Sequence, residues 1–240
     1  MKAFVAVGLF LSAMQVSAMA QDEFRALNGA PLPTTVLRVD KSEAYDEMTI
    51  GLRIPFLGGR LDNQGDKWRD VFNSSGVGFG LDGSFLWTVS GKVALGIYTA
   101  FDIDVFGGKS TTVDLGSGPV KESQDDLVMT RFLVGGRIRE TFGIFFMDQN
   151  IGLGFATYGA SNATASGVTV GVIDPSFVFA FELGVRFGFV VSRVVDLGMG
   201  LAWNYNGAPN ISSDLSQVDP TLHFLSQSNT LLTFFININF

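Results

Sequence analysis

The chain has 240 residues, of which 47% are hydrophobic and only 16% are charged. Typical soluble domains carry about 25% charged residues, so this composition is unusual for a soluble protein. Because cysteine is absent, a disulfide framework and a thiolate metal site are excluded. The net charge of -7, without any basic patch in the sequence, argues against nucleic acid and against an anionic surface as partners.

Residues 1–20 have the pattern of a secretory signal peptide. Lys2 gives the positive start, an apolar run extends from Phe4 to Met14, and Ala18-Met19-Ala20 forms a cleavage pattern before Gln21. The run is too short for a transmembrane helix, and no later stretch reaches about 18 apolar residues. Any membrane-spanning part of the mature chain is therefore expected to consist of strands.

Eight segments alternate apolar and polar or small residues with the period of a β-strand. Most offer about the 9–11 residues that a tilted strand needs to cross the hydrocarbon. The segments are 48–56, 77–89, 93–105, 128–139, 145–156, 177–189, 195–205 and 232–240.

The connections between these segments alternate in length. Short turns are expected near 90–91, 140–142 and 190–193, and long loops at 57–76, 107–126, 159–175 and 206–227. Short periplasmic turns and long extracellular loops are typical of bacterial outer-membrane barrels. The sequence therefore predicts an all-β fold, a transmembrane up-and-down antiparallel barrel of eight strands.

The polar faces of the segments decide which side points outward. They contain Gly, Ala, Asn, Asp and Arg rather than the Lys and Glu of a water-exposed surface, which favours a narrow lumen. Arginine at the bilayer midplane would cost about 2–4 kcal/mol, so these side chains are expected inside. The predicted lumen charge network comprises Arg53, Asp82, Asp102, Arg131, Arg137, Asp148, Glu182, Arg186 and Asp196.

The end of the chain resembles a known family. Phe240, with Ile238, Ile236 and Phe234 alternating before it, resembles the C-terminal signal that the barrel assembly machinery of outer membranes reads. The eight-segment plan over residues 47–240 is similar to the small barrels of the outer-membrane protein A and outer-membrane protein X type. The resemblance implies a bacterial outer-membrane location, outer-membrane lipids and the assembly machinery as partners, and a monomer. Residues 21–46 lie outside this plan and are expected to form a periplasmic tail.

Two motifs could suggest other chemistry. Gly78-x-Gly80-x-x-Gly83 has the spacing of a dinucleotide fingerprint but lies inside a predicted strand rather than before a helix, so no cofactor is expected. His223, with Asp219, Ser226 and Ser228 nearby, leaves a lipid-modifying hydrolase open. As the only histidine it cannot form a multi-histidine metal site. No catalytic or metal-binding residue is predicted.

Three functions remain open on the sequence alone. The first is a structural or surface-interaction barrel without enzymatic activity, whose loops, including Trp68, meet an extracellular ligand or only shield the barrel as solvated segments. The second is a small or gated porin-like channel with Arg131, Arg137, Arg186 and Glu182 as its gate. The third is the hydrolase. Ser161, in the third loop, is expected to tolerate substitution.

Overall fold

The computed structural model describes residues 44–114 and 119–240. The expected signal peptide and residues 21–43 of the expected tail lie outside these ranges. Eight long strands form a closed barrel in which every strand is antiparallel to both neighbours. They are β1 Ala44–Gly58, β2 Val77–Ser90, β3 Val93–Phe106, β6 Leu127–Phe142, β7 Phe145–Tyr158, β10 Ser176–Val190, β11 Val195–Asn206 and β13 Gln227–Asn239.

Closure of the barrel occurs between β1 and β13, where Glu47 is paired with Asn239. Following paired residues once around the barrel from Asn239 leads back to β13 at Asn229, a shear of ten residues. With eight strands about 4.8 Å apart, this shear tilts the strands by about 40° from the barrel axis. The architecture implied by the resemblance to the outer-membrane protein A and X barrels is therefore confirmed.

The two faces of each strand differ as the alternation predicted. In β10, Phe177, Phe179 and Phe187 are exposed on the outer wall, whereas Ala180, Glu182 and Gly184 face the lumen and are buried. The β1 strand starts at Ala44, so residues 44–46, which the sequence assigned to the tail, belong to the barrel. No helix among the described residues is long and apolar enough to cross a membrane.

One end of the barrel, here called the turn end, carries connections of two residues (91–92 and 143–144) and four residues (191–194). The turn between β6 and β7 contains Gly143 at φ +67°, a backbone conformation that favours glycine. The opposite end, the loop end, carries the connections 59–76, 107–126, 159–175 and 207–226. Their described residues are called the loop cap.

The loop cap contains a second, five-stranded sheet with the order β12-β9-β8-β5-β4. Its strands are β4 Ser110–Asp114, β5 Pro119–Gln124, β8 Ser161–Ala165, β9 Val168–Asp174 and β12 Asn210–Ile211, and two short helices, α1 Trp68–Val71 and α2 Ser213–Val218, accompany them. These connections are therefore folded rather than irregular. Short strands rich in Ser, Thr, Ala and Gly lack the strong apolar alternation that identified the barrel strands.

Ser161 is one residue that this second sheet changes. It was expected to be a tolerant loop position, but it lies in β8 and is fully buried. Its hydroxyl accepts a hydrogen bond from Gln124 Nε2 at 2.7 Å. The placement of Ser161 in a solvated loop was wrong, because local composition does not indicate the pairing between β5 and β8.

The assignment of apolar side chains to the outer wall predicts different effects for two Val→Arg substitutions. Val134→Arg places a guanidinium on the outer wall in mid-strand, where Val134 is 49% exposed, and should lower the free energy of unfolding by about 2–4 kcal/mol. Val168→Arg, at a position 63% exposed in the loop cap, should change it by less than about 0.5 kcal/mol. Urea titration of tryptophan fluorescence in lipid vesicles measures both. Equal losses at the two sites would contradict the assignment.

Candidate functional site in the lumen and loop cap

Charged side chains fill the lumen in two clusters. In the first, nearer the loop end, Arg53 Nη1 lies 2.8 Å from Asp102 Oδ1 and Arg53 Nε lies 3.1 Å from Asp104 Oδ1. Arg131 Nη2 lies 2.7 Å from Asp104 Oδ2 and 3.5 Å from Asp102 Oδ2. Two guanidiniums thus share two carboxylates, and all four side chains are buried. This group is the loop-end cluster.

The second group, the turn-end cluster, is centred on Arg137 and Arg139. Arg137 contacts Glu47 at 3.0 Å and Asp82 at 2.8 Å. Arg139 forms a bidentate pair with Asp148 at 2.6 and 2.7 Å and also contacts Glu47. The cluster is completed by Arg186, which contacts Asp82, and by Asp196, 3.6 Å from Arg139.

The register explains why these residues meet. Asp102 is directly opposite Arg131 on β3 and β6, and Arg139 is directly opposite Asp148 on β6 and β7. Side chains at such cross-strand positions have Cβ atoms about 4.5–5.5 Å apart, within reach of an ion pair. Contacts such as Arg137 to Glu47 cross the lumen from β6 to β1 instead, and they depend on the closure of the barrel.

Eight of the nine charged residues singled out in the sequence lie in these two clusters. Glu182 does not, and it accepts a hydrogen bond from Asn150 Nδ2 at 2.9 Å rather than pairing with an arginine. Glu47, Asp104 and Arg139 belong to the clusters but were missed. Asp104 and Arg139 alternate with the apolar residues of their segments, so the sequence already placed them on the polar face. Glu47 lies just before the first apolar segment.

Aromatic rings occupy much of the lumen that remains. The guanidinium carbon of Arg139 lies 4.2 Å from the ring centroid of Phe146, and that of Arg137 lies 5.0 Å from Tyr98. Arg186 lies 5.4 Å from the ring of Phe235. Each of these three arginines therefore has both a carboxylate partner and an aromatic ring beside its guanidinium.

Glycines make room for these large side chains. A Cβ atom at Gly80 would lie 2.8 Å from Asp102 Oδ1 and 3.0 Å from Arg53 Cδ, and one at Gly78 would collide with Asp104. At Gly83, on the outer wall, a Cβ atom would meet nothing within 4 Å. The spacing that resembled a dinucleotide fingerprint thus lies in β2, where two of its glycines face the lumen.

An apolar core lies across the loop end. It consists of Leu57, Leu61, Trp68, Phe72, Phe106, Leu127, Met129, Tyr158, Ile173 and Phe224. Trp68 is fully buried, with its ring centroid 6.1 Å from that of Phe72 and 6.0 Å from that of Tyr158. Because Leu57, Phe106 and Tyr158 are the last inward-facing residues of their strands, this core closes the lumen on the loop side.

The four connections of the loop cap are tied into a ring. The first and second are joined by the bridge Phe72 to Gly108, and the second and third by the hydrogen bond from Asn162 Nδ2 to Asp125 Oδ2 at 2.9 Å. Gly171 N donates to Asp214 Oδ2 at 3.2 Å between the third and fourth. The bridge Asp62 to Phe224 joins the fourth to the first.

His223, the candidate hydrolase residue, lies in this ring. Its side chain is exposed, and its recorded hydrogen bonds use the backbone, since His223 N donates to Asn63 Oδ1 and His223 O accepts from Asn63 N. Hydrogen bonds from Thr221 lower the pKa of the nearby Asp219, which also accepts from Gln64 Nε2 at 2.7 Å. Among the described residues, no group of acids and histidine could hold a metal ion.

Comparisons with known proteins show similarity only at the level of structure. No protein-family model and no curated protein matches the chain. The fold is similar to Ail, the attachment invasion locus protein of Yersinia pestis, with 10% identity, 83% of this chain and 100% of that chain covered, and a TM-score of 0.46. For Neisserial surface protein A the values are 16%, 83%, 98% and 0.41.

A third similar structure is the outer membrane protease OmpT from Escherichia coli, with 10% identity, 82% of this chain and 96% of that chain covered, and a TM-score of 0.45. The three names describe an attachment protein, a surface protein and a protease, so they point to no single activity. Such similarity concerns the fold alone. The barrel is established by its own strand register, independently of these proteins.

The turn-end cluster predicts a large cost for removing one cation. Arg139→Met leaves Glu47 and Asp148 without their closest guanidinium in a buried site, and should lower the free energy of unfolding by about 3–5 kcal/mol. Arg193→Met, at an exposed position in the turn between β10 and β11, is the matched control and should have an effect below about 0.5 kcal/mol. Urea midpoints in vesicles measure both; the same midpoint for the two variants would contradict the role of the cluster.

Proposed function

We propose that this protein is a non-conducting outer-membrane barrel that displays a rigid loop cap on the cell surface for interaction with an extracellular ligand. The observation that carries the proposal is the loop cap itself. Its four connections are joined in a ring, and its apolar core is anchored on the inward-facing ends of the barrel strands. Ordered loops on a rigid barrel suit recognition, because little conformational entropy is lost on binding.

The outer wall supports the membrane location. It exposes a continuous set of large apolar side chains from every barrel strand, whereas a soluble protein rarely exposes an apolar surface larger than a few hundred Å². Trp87, Phe145 and Phe189 lie toward the turn end, and Trp203 and Tyr205 toward the loop end, as in the aromatic belts of membrane proteins. Because closure pairs both edges of the sheet, the barrel needs no partner chain, and we infer a monomer.

Export and assembly belong to the same proposal. Residues 1–20 act as a cleaved signal peptide, and residues 21–43 form a periplasmic tail that leads into β1. The C-terminal residues Phe234, Ile236, Ile238 and Phe240 serve as the assembly signal. Exposure of Phe234, Ile236 and Phe240 on the outer wall supports this role, because a signal must be accessible to its receptor.

The absence of cysteine allows a direct test of orientation. Val168→Cys in the loop cap should react with a membrane-impermeant maleimide on intact cells, because the loop end faces outward. Gly91→Cys, exposed in the turn between β2 and β3, should react only after the outer membrane is permeabilised. Labelling of Gly91→Cys but not Val168→Cys on intact cells would reverse the orientation.

The sealed lumen predicts that the folded protein carries no ion current. The two charge clusters and the core around Trp68 lie across the lumen, and this arrangement supports a barrel without an ion path. Folded wild-type protein in planar bilayers at high salt should show no discrete current steps, while a porin in the same apparatus does. Reproducible steps from samples of verified folding would favour the channel instead.

A further inference from the structure

The fold brings four basic side chains together in the loop cap, a local patch that the net charge of -7 did not predict. Arg60, Lys67 and Arg69 belong to the connection between β1 and β2, and Lys109 follows β3. Arg60, Lys67 and Arg69 line a shallow groove of about 350 Å³ together with Leu57, Gly58 and Gly59. Lys109 joins them because its Nζ donates to the carbonyl oxygen of Arg69. These four residues are called the basic patch.

The backbone aims these side chains away from the apolar core. Arg60 and Lys67 are antiparallel bridge partners, so their side chains emerge on the same face. Their chain neighbours Leu61 and Trp68 are buried in the core on the opposite face. Arg60, Lys67 and Arg69 are exposed, so these three side chains point away from the apolar core, and Lys109 is half-buried beside them.

The charge of the basic patch is not neutralised by the protein. Within residues 44–114 and 119–240, none of its four members forms an ion pair with a carboxylate. The same connection contains three acids, Asp62, Asp66 and Asp70. Asp62 is buried and its Oδ1 accepts backbone hydrogen bonds from residues 64–66, and Asp70 Oδ2 accepts one from Lys67 N at 3.0 Å. The other three connections of the loop cap are acidic, through Asp114, Glu122, Asp125, Asp126, Asp174, Asp214 and Asp219.

The basic patch lies close to the upper edge of the apolar wall. Phe56 is the last outward-facing apolar residue of β1 and is 44% exposed. Val77 is the first one of β2 and is 65% exposed. Arg60 follows Phe56 by four residues, which on a strand tilted by about 40° raises it by at most about 10 Å. The headgroup layer extends about 5–8 Å beyond the hydrocarbon on each side, so long basic side chains reach it.

We propose that the basic patch binds the phosphate groups of outer-leaflet lipids, an assignment that rests on the proposed orientation of the loop end. Arginine matches phosphate with two parallel hydrogen bonds, and lysine adds point charges beside it. Soluble polyanions are disfavoured as the occupant, because the loop cap as a whole has five basic residues against ten acidic ones and repels them. Lipid phosphates are held at the height of the patch by the bilayer.

The test compares two triple variants of equal charge. The patch variant is Arg60→Gln with Lys67→Gln and Arg69→Gln, and the control is Lys92→Gln with Lys121→Gln and Arg193→Gln, three exposed positions outside the patch. Heat-dependent gel mobility verifies that each full-length protein is folded. Binding of diphosphorylated lipid A and of its fully dephosphorylated form is then measured in detergent micelles by native mass spectrometry, with inorganic pyrophosphate as a lipid-free probe.

The proposal expects wild type and control to retain diphosphorylated lipid A equally, and the patch variant to bind it about tenfold more weakly or worse. Binding that is independent of the phosphates, or equal in all three proteins, would overturn it. If the wild-type protein bound pyrophosphate as tightly as diphosphorylated lipid A, the ligand would be a soluble anion rather than a lipid, and the proposal would be overturned. The maleimide experiment on intact cells distinguishes failure of this inference from failure of the proposed function. If the loop end faces outward but lipid A is not bound, the proposed function stands and only the lipid-binding inference is removed.

Discussion

The structure depends on one constraint, the narrow lumen that eight strands with a shear of ten residues enclose. Every inward side chain must fit this space, and every charge in it must be compensated, because a buried charge without a partner costs several kcal/mol. Gly78 and Gly80 leave space beside Asp104 and Asp102, which in turn hold Arg53 and Arg131. A slip of one residue in any strand would turn these charges toward the lipid, so the lumen also fixes the register.

The same inward faces determine the order of the loop cap. Above the loop-end cluster, the next inward residues of β1, β3 and β7 are apolar, and they meet Trp68, Phe72 and Phe224 from the connections. The lumen therefore changes from charged to apolar as it approaches the loop end. Loops that leave the barrel at this point can bury aromatic side chains on it, which is why long connections without strong sequence signals are nevertheless folded.

The sequence alone predicted the barrel and the inner and outer face of each strand. In the long segments the apolar and polar residues alternate, and only one of the two possible orientations keeps arginine out of the lipid. Eight of the nine charges predicted for the lumen lie in the two clusters, and three further cluster members were missed. Glu47 was missed because the apolar alternation begins only at Met48, one residue later in β1. The absence of an arginine partner for Glu182 among the described residues depends on contacts across the lumen, which alternation along one strand does not reveal. The second sheet was missed because Ser161–Ala165 pairs with a strand of another connection, a long-range choice that local composition does not specify.

In the proposed function, Trp68 connects the fold to recognition. It lies between Lys67 and Arg69, and its full burial fixes the backbone from which both cations project. Without this anchor the connection 59–76 would have to be ordered at the moment of binding, at a cost of about 1–2 kcal/mol per residue. With it, the ordering is complete when the barrel folds, and the energy of each charge-assisted hydrogen bond is available for affinity. A loop cap that closes the lumen and holds its basic residues in place thus uses one buried aromatic side chain for both purposes.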